Sequence, residues 1–204
     1  HGINPNTKVN CTGESFFGTN SFRCWKHDGH GLVDMYSAIK YSCNTYMYEV
    51  SRQAGHKRIL DLAGNFGFGK KTHIDLAAEA SGFLPSDEWK MKRFKSKWTL
   101  GDTLNISIGQ GPILSTPIQL ARFITAIASN GKLFIPRIAK LDSSFSQINI
   151  DQNHLDILKE GMYSAVNDGG GTAYYSRILN SDYELVGKTG TAQVQAKANS
   201  RDDL

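Results

Sequence analysis

The tetrapeptide Lys188-Thr189-Gly190-Thr191 combines residue types that can bind the carboxylate end of a peptide. Alternate side chains of a strand share a face, so the hydroxyls of Thr189 and Thr191 could both donate to one anion. Lys188 supplies a positive charge, and Gly190 has no side chain to obstruct a peptide that adds along the strand. The alternation of side chains along a strand does not by itself bring Lys188 into the same cleft as the two threonines. The alternative to a carboxylate-binding site is an ordinary strand with threonines on its surface.

A second candidate, Ser42-Cys43-Asn44, lies far upstream of the first. On a regular helix Ser42 and Asn44 would diverge by about 200°, so they converge only where the chain is extended or turned. A serine hydroxyl and an asparagine amide that converge can relay a proton and hold a substrate amide. Serine-x-asparagine followed by lysine-threonine-glycine is, with an upstream serine-x-x-lysine, the signature of acyl transferases that react with penicillin.

A third candidate uses every cysteine of the chain, since Cys11, Cys24 and Cys43 all lie within the first 43 residues. An odd number of cysteines cannot close completely into internal disulfides. With His30 they make a tetrahedral set of three thiols and one imidazole. Their spacing is wider than that of a zinc-finger knuckle, so unreactive buried thiols remain the alternative, and His27 is the substitute ligand for His30.

A metal bound by these four residues would support the serine motif from behind. If Ser42 and Asn44 face a cleft, Cys43 between them faces away from it. Four protein ligands leave no open coordination position, which predicts a structural zinc and no cofactor for catalysis.

The elements that must position these residues mix helices and strands without a βαβ rhythm, which predicts an α+β fold. Residues 1–33 are rich in turn formers and predict an irregular loop region that contributes metal ligands. A helical run follows from Met35 and stops at Gly55. Residues 70–105 look loop-rich, and the valines and threonines of 185–194 predict a strand.

Three further helices are predicted by their caps and apolar stripes. One covers 57–65, and another spans roughly 154–166, just before a run of three glycines. The clearest begins at Thr116-Pro117-Ile118-Gln119, which has the N-cap hydroxyl, first-turn proline and third-position glutamine of a capping box, and it stops at Gly131.

The composition of the 204 residues, 40% hydrophobic and 21% charged, excludes a disordered or fibrous chain. The net charge of +4 comes from the segment between Trp89 and Trp98, which holds five of the 23 basic residues. The charge of the rest of the chain therefore gives no reason to expect a nucleic-acid partner. The alternative function is a binding module that presents this segment to a nucleic acid or an anionic surface. Lys71 replaces the hydroxyl residue of a phosphate-binding loop after Lys70, which disfavours a nucleotide enzyme.

Over nearly all of its length the chain resembles the transpeptidase domain of class B penicillin-binding proteins, most closely the elongation type. The resemblance rests on the two motifs above and on a series of further motifs in the same order: Gly29-His30-Gly31, Phe66-Gly67-Phe68-Gly69, Ile74-Asp75-Leu76, Gly101-Asp102-Thr103, Ile108-Gly109-Gln110-Gly111, Thr116-Pro117-Ile118-Gln119 and Gly171-Thr172-Ala173. It implies that residues 1–204 are a partial transpeptidase domain with a penicillin-binding protein/β-lactamase-like fold, an antiparallel sheet packed with helices, incomplete at both ends.

The resemblance also implies an activity, the cross-linking of peptidoglycan stem peptides through a serine acyl-enzyme that β-lactams trap. Ser42 would shuttle protons and Asn44 would hold the substrate amide. Lys188, Thr189 and Thr191, with Gly190 between them, would recognise the terminal carboxylate, and the backbone N–H of Thr191 would lie in the oxyanion hole.

One departure from the family pattern concerns the nucleophile, which the family carries in serine-x-x-lysine well upstream of serine-x-asparagine. Ser37 and Lys40 match that motif literally, but Ser37 lies five residues before Ser42 on the same helical run and cannot serve from there. We therefore expect the chain to be an internal fragment that does not acylate on its own.

The resemblance extends to cofactor, partner and location. Some elongation-type relatives bind zinc beside the active site, and Cys24, His30 and Cys43 fall at matching intervals, with Cys11 where a more variable ligand lies. The implied partners are the stem peptide, β-lactams and a membrane glycosyltransferase of the elongation machinery. The implied location is the periplasmic face of the bacterial inner membrane, where an N-terminal helix anchors the full-length protein.

Overall fold

The computed structural model describes residues 3–139, 144–179 and 182–191. Within these ranges the elements come in runs, four short strands, then six helices, then two strands and a last helix, as is typical of an α+β fold. The helices are α1 Met35–Lys40, α2 Asn44–Ala54, α3 His56–Asn65, α4 Asp87–Phe94, α5 Leu100–Ser107, α6 Pro117–Ala128 and α7 Gln152–Asn167, followed by a 3-10 turn at Tyr174–Ser176. The strands are β1 Val9–Cys11, β2 Glu14–Phe17, β3 Asn20–Arg23, β4 Gly31–Val33, β5 Lys132–Phe134 and β6 Phe145–Gln147.

The strands of the described residues form three antiparallel pairs, β1 with β4, β2 with β3 and β5 with β6. Four of the strands lie within residues 9–33, so the prediction of an irregular loop there was wrong. The turn formers close hairpins instead: Gly18, with φ of 64°, takes the first position of the two-residue turn that joins β2 to β3.

The helices were predicted better than the strands. The structure confirms the helix at residues 57–65, the capping box of Thr116 with Gln119, and the helix that precedes the glycine run. Residues 70–105 are mostly loop, as predicted, but they also contain α4 and the beginning of α5, which were not predicted. Each of these helices has only eight residues, too few for a clear apolar stripe, and they begin at the side-chain caps of Ser86 and Thr99.

The predicted strand at 185–194 is not a strand over 185–191, and residues 192–194 lie outside the described ranges. A strand needs a neighbour to pair its backbone, and no strand of the described ranges pairs with this segment. Other groups bind its backbone: Asn167 Nδ2 donates to the Leu185 carbonyl at 2.9 Å, and the Gly187 N–H donates to the Met162 carbonyl at 3.4 Å.

The core that supports the candidate site has two parts. One packs α1 against α7, where Gly161 is required because a Cβ there would lie 2.8 Å from Ile39. The other is a cluster of buried residues around the three cysteines, made of Cys11, Cys24, Val33, Ala38, Cys43 and Tyr46. No helix in the described part of the chain is both long and apolar enough to span a membrane.

Candidate functional site

Ser42 lies in a sharp turn between α1 and α2, so the single helical run predicted from Met35 to Gly55 is interrupted. The turn is a Schellman motif that ends α1: the Ser42 N–H donates to the Ile39 carbonyl at 3.3 Å, and the Cys43 N–H donates to the Ala38 carbonyl at 2.9 Å. Ser42 occupies the left-handed position of this motif, with φ of 53°, where glycine is usual. A serine at this strained position suggests that its side chain is needed there.

The strained turn predicts a difference between two substitutions that both remove the hydroxyl. Ser42→Gly is expected to be more stable than Ser42→Ala by about 1 kcal/mol, since glycine adopts positive φ without the steric cost that alanine incurs. Urea unfolding of the two variants measures the difference directly. Equal stability, or a more stable alanine variant, would contradict the left-handed assignment of Ser42.

Lys188 and Thr189 meet Ser42 in space although they lie almost 150 residues away in sequence. The Lys188 ammonium donates a hydrogen bond to Ser42 Oγ, and Thr189 Oγ1 lies 3.3 Å from the same atom. The cleft position of Lys188, for which the sequence offered no argument, is thus a finding of the structure. Although Lys188 stays exposed as a residue, partial desolvation of its ammonium lowers the pKa of its side chain.

The remaining residues of the two motifs lie beside this contact rather than in it. Asn44 begins α2, and its Nδ2 donates to the Arg23 carbonyl at 3.3 Å. A Cβ at Gly190 would meet no heavy atom of the described residues within 4 Å, so the space beside its backbone is open. The Thr191 carbonyl accepts a hydrogen bond from Gln110 Nε2 at 2.8 Å.

Sequence reasoning assigned no role to two residues that the structure brings into this cleft. Gln110 anchors the end of the Lys188–Thr191 segment from the turn after α5. Thr172 Oγ1 lies 3.3 Å from Ser42 Oγ and accepts from Thr189 Oγ1 at 3.1 Å. Both belong to motifs on which the family resemblance rests, but neither carries a charge or a spacing that would have marked it as functional.

Ser37 and Lys40, the literal serine-x-x-lysine match, each contact another residue. The Ser37 N–H donates to the N-cap carboxylate of Asp34 at 2.9 Å, at the end of α1 away from Ser42. The Lys40 ammonium pairs with Asp168 at 3.7 Å and lies over the Tyr41 ring. The lysine charge is therefore directed to Asp168 and Tyr41.

The three cysteines and His30 form one compact cluster behind the Ser42 turn. The four potential ligand atoms all lie within 4.8 Å of one another, and all three cysteines are buried. His30 Nδ1 lies 3.5 Å from Cys11 Sγ and 3.6 Å from Cys24 Sγ. The Cys43 side chain belongs to this cluster, whereas the side chain of the preceding Ser42 contacts Lys188. The two neighbouring side chains therefore lie on opposite sides of the turn.

Hydrogen bonds and ring contacts position the side chains of this cluster. A hydrogen bond from Cys43, with backbone N–H groups near Cys24, lowers the pKa of the Cys24 thiol, whereas the same hydrogen bond and burial raise the pKa of Cys43. The His30 ring stacks on Tyr41 at 5.8 Å between centroids, and the Trp25 indole, edge-on to His30, donates to the Tyr41 carbonyl at 2.9 Å.

His27 is exposed and is not part of this cluster, so the structure selects His30 of the two histidines. The difference follows from local backbone geometry. His30 immediately precedes β4, whose residue Gly31 pairs with Cys11 of β1, and this register carries the imidazole to the thiols.

The basic segment from Trp89 to Trp98 uses its tryptophans for internal packing. Trp89 contacts Phe83 and Phe94, and Trp98 stacks on His56 at 4.6 Å. Bases that stack on a protein need exposed aromatic faces, and these two rings are already in contact with other side chains. The segment is thus a charged helix and loop on the surface of the fold.

The whole chain is similar to proteins of one known family. The family described as penicillin binding protein transpeptidase domain matches residues 1–204. The peptidoglycan D,D-transpeptidase MrdA of Acinetobacter baumannii is 36% identical over 195 residues, which is 90% of this chain and 28% of that protein. The chain spans less than a third of the length of this relative and of the MrdA proteins of Haemophilus influenzae and Escherichia coli.

Solved structures agree with this comparison. Penicillin-binding protein PBP2 from Helicobacter pylori is 37% identical with a TM-score of 0.88, over 94% of this chain and 37% of that one. A structure of Helicobacter pylori PBP2 in complex with MreC matches with a TM-score of 0.87, 37% identity and coverage of 94% and 36%. A peptidoglycan synthase complex that coordinates polymerization and crosslinking gives a TM-score of 0.76 at 29% identity, over 85% of this chain and 30% of that one.

The chain therefore belongs to the penicillin-binding protein transpeptidase family. Within this family it is of the PBP2/MrdA type, and its fold is the transpeptidase fold, with helices and antiparallel strands. The predictions of the family and of the fold class from sequence are confirmed.

Proposed function

We propose that the full-length protein is a peptidoglycan D,D-transpeptidase that acts through a serine acyl-enzyme and is inhibited by β-lactams. The observation that carries this proposal is the convergence of Lys188 and Thr189 on Ser42, since it joins the two sequence motifs in one cleft. An ammonium, two hydroxyls and an open backbone edge at Gly190 are suited to a peptide that ends in a carboxylate.

In the proposed reaction Ser42 and Lys188 move the proton. Lys188 donates to Ser42 Oγ, so a proton that Ser42 gives to the leaving amine can be replaced from the ammonium. The lowered pKa of Lys188 assists this transfer because it makes the ammonium a stronger acid. Asn44, oriented by the Arg23 carbonyl, holds the substrate amide.

The other members of the lysine-threonine-glycine segment bind the substrate. Lys188, Thr189 and Thr191 recognise the terminal carboxylate, with the N–H of Thr191 directed to the developing oxyanion. The Gln110 hydrogen bond to the Thr191 carbonyl fixes the peptide plane that follows this residue, which limits movement at the end of the segment.

The attacking serine belongs, in this proposal, to a serine-x-x-lysine motif outside these 204 residues. Ser37 does not fill that role, because Lys40 is paired with Asp168 and cannot activate it. The chain by itself is accordingly expected to take no acyl group from a penicillin.

The proposal includes a structural zinc held by Cys11, Cys24, His30 and Cys43. Tetrahedral zinc with bonds of about 2.3 Å to sulfur and about 2.0 Å to nitrogen separates the two ligand atoms by about 3.6 Å. The distances of 3.5 and 3.6 Å from His30 Nδ1 to two of the thiols fit that requirement. With all four positions filled by protein, the metal would supply rigidity and no Lewis-acid chemistry.

The proposal extends to the setting in which the protein works. We infer that it acts at the periplasmic face of the inner membrane beside a glycosyltransferase of the elongation machinery. The likeness to a peptidoglycan synthase complex that coordinates polymerization and crosslinking supports this inference.

A fluorescent penicillin tests the proposed function. The full-length protein is expected to become labelled, and the 204-residue chain is not. Failure of the full-length protein to label would contradict the proposal, and a steep salt-dependent affinity for DNA would favour the binding-module alternative instead.

A further inference from the structure

We propose that Thr172 is a positioning residue for acyl transfer, whose hydroxyl orients both Ser42 and Thr189. This inference rests on the proposed function, because it concerns the same cleft. Its basis is that three hydroxyls from three separate parts of the chain meet: Thr172 Oγ1 lies 3.3 Å from Ser42 Oγ and 3.1 Å from Thr189 Oγ1, and Ser42 and Thr189 lie 3.3 Å apart.

The direction of the hydrogen bonds in this group follows from the one partner that cannot donate. Thr172 Oγ1 is 3.4 Å from the Lys40 carbonyl oxygen, which can only accept, so the Thr172 proton is directed there. The two lone pairs of Thr172 are then free to accept, one from Thr189 and one from Ser42. Ser42 is left with a lone pair for the Lys188 ammonium, which donates to it.

Backbone hydrogen bonds hold Thr172 in the position from which its side chain directs the hydrogen bonds of Ser42 and Thr189. Its own N–H donates to the same Lys40 carbonyl at 3.2 Å, and the next N–H, of Ala173, donates to the Ala165 carbonyl at 2.9 Å. Gly171 makes this possible, since a Cβ there would lie 2.3 Å from the Ala165 oxygen. The ends of α1 and α7 therefore fix the position of the Thr172 side chain.

The Lys188–Thr191 segment needs such support because no strand in the described ranges pairs with it. Near Ser42 its contacts are made by side chains, and the hydrogen bond that Thr189 donates to Thr172 holds Thr189 in place. Without the Thr172 hydroxyl, the protons of Ser42 and Thr189 lose a common acceptor and adopt several orientations. Lys188, which donates to Ser42, then loses a defined target for its proton.

The test compares variants of the full-length protein that separate the hydroxyl from the volume of the side chain. Thr172→Val keeps the shape without the hydroxyl, Thr172→Ala removes both, and Thr172→Ser keeps the hydroxyl. Stopped-flow acylation by benzylpenicillin gives the limiting rate and the half-saturating concentration, and thermal melting reports stability. Ala173→Ser, which adds a hydroxyl at the neighbouring position, serves as the control.

The limiting acylation rate is expected to fall about 10-fold or more in Thr172→Val and Thr172→Ala. Both variants leave the hydroxyls of Ser42 and Thr189 without their acceptor, and a lost hydrogen bond at a reacting site costs about this much in rate. Thr172→Ser is expected to remain within about threefold of the unmodified protein, with half-saturation unchanged. Unchanged rates in both hydroxyl-free variants, or a serine variant as slow as they are, would overturn the role of Thr172. An unmodified protein that is not acylated would overturn the proposed function itself, and this inference with it.

Discussion

Replacing Lys188 with alanine in the full-length protein is expected to lower the rate of acylation by benzylpenicillin about 100-fold to 10,000-fold, the range typical for loss of a positioned proton-transfer group. The ammonium has two roles in the proposed reaction. It returns a proton to Ser42, to which it donates directly, and it supplies the positive charge that attracts the substrate carboxylate. Stopped-flow acylation at saturating penicillin measures the first role.

Two further variants control this experiment. Lys188→Arg keeps the positive charge, but its guanidinium cannot give up a proton near neutral pH. Compared with Lys188→Ala, this variant should therefore restore penicillin binding more fully than it restores the limiting acylation rate. Lys97→Ala removes an exposed lysine of the basic segment. It should leave both the limiting acylation rate and the half-saturating penicillin concentration unchanged. Acylation of Lys188→Ala at the unmodified rate would contradict the assignment of Lys188 to the reaction.

The pH dependence of acylation should report the same group. Partial desolvation lowers the pKa of Lys188 below its usual value of 10.5. As pH rises through this lowered pKa the ammonium is lost, so the rate is expected to fall on an alkaline limb below pH 10.5. Lys188→Arg should move this limb to higher pH, and an alkaline limb that is the same in both proteins would assign it to another group.

Loss of the proposed zinc is expected to have the largest effect on stability. The full-length protein should contain one zinc per chain, and His30→Ala should lower both the zinc content and the free energy of unfolding, the latter by about 3 kcal/mol or more. That figure is a modest part of the roughly 10–16 kcal/mol with which structural zinc binds small domains. The physical reason is that the four ligands join β1, the β3–β4 connection and the start of α2.

His27→Ala is the matched control for this prediction, because it removes an exposed histidine three residues from Cys24 that lies outside the cluster. It should leave zinc content and melting temperature unchanged. Strong chelators should lower the melting temperature of the unmodified protein toward that of His30→Ala. Metal analysis well under one zinc per chain, with a melting temperature indifferent to chelators, would contradict the zinc proposal.

Local sequence signals predicted those parts of the fold that local interactions determine. The capping box of Thr116 and Gln119 requires only neighbouring residues, and it was identified correctly. The residue types of the cysteine cluster also indicated a common site before any geometry was known. Its closure depends on the pairing of β1 with β4, and the 19 turn-rich residues between these strands gave no sequence pattern from which the pairing could be predicted.

Features that depend on long-range packing could not be predicted from residue types. Alternation within 188–191 indicated how Thr189 and Thr191 relate to each other, but the meeting of Lys188 with Ser42 depends on the packing of α1 against α7. Thr172 was overlooked for the same reason, because an uncharged threonine after glycines becomes functional only through its neighbours in space. The sequence did not predict that the helical run from Met35 to Gly55 breaks at Ser42. It indicated only that Ser42 and Asn44 could converge if the chain were extended or turned there.

In the proposed mechanism Ser42, Lys188 and Thr189 assist an attack that another serine makes. The most direct measurement is mass-spectrometric mapping of the penicillin adduct on the digested full-length protein. A single adduct is expected on a serine of a serine-x-x-lysine motif outside residues 1–204, and it should disappear in Lys188→Ala under short exposure. An adduct on Ser42 or Ser37, or no adduct on the unmodified protein, would contradict this mechanism.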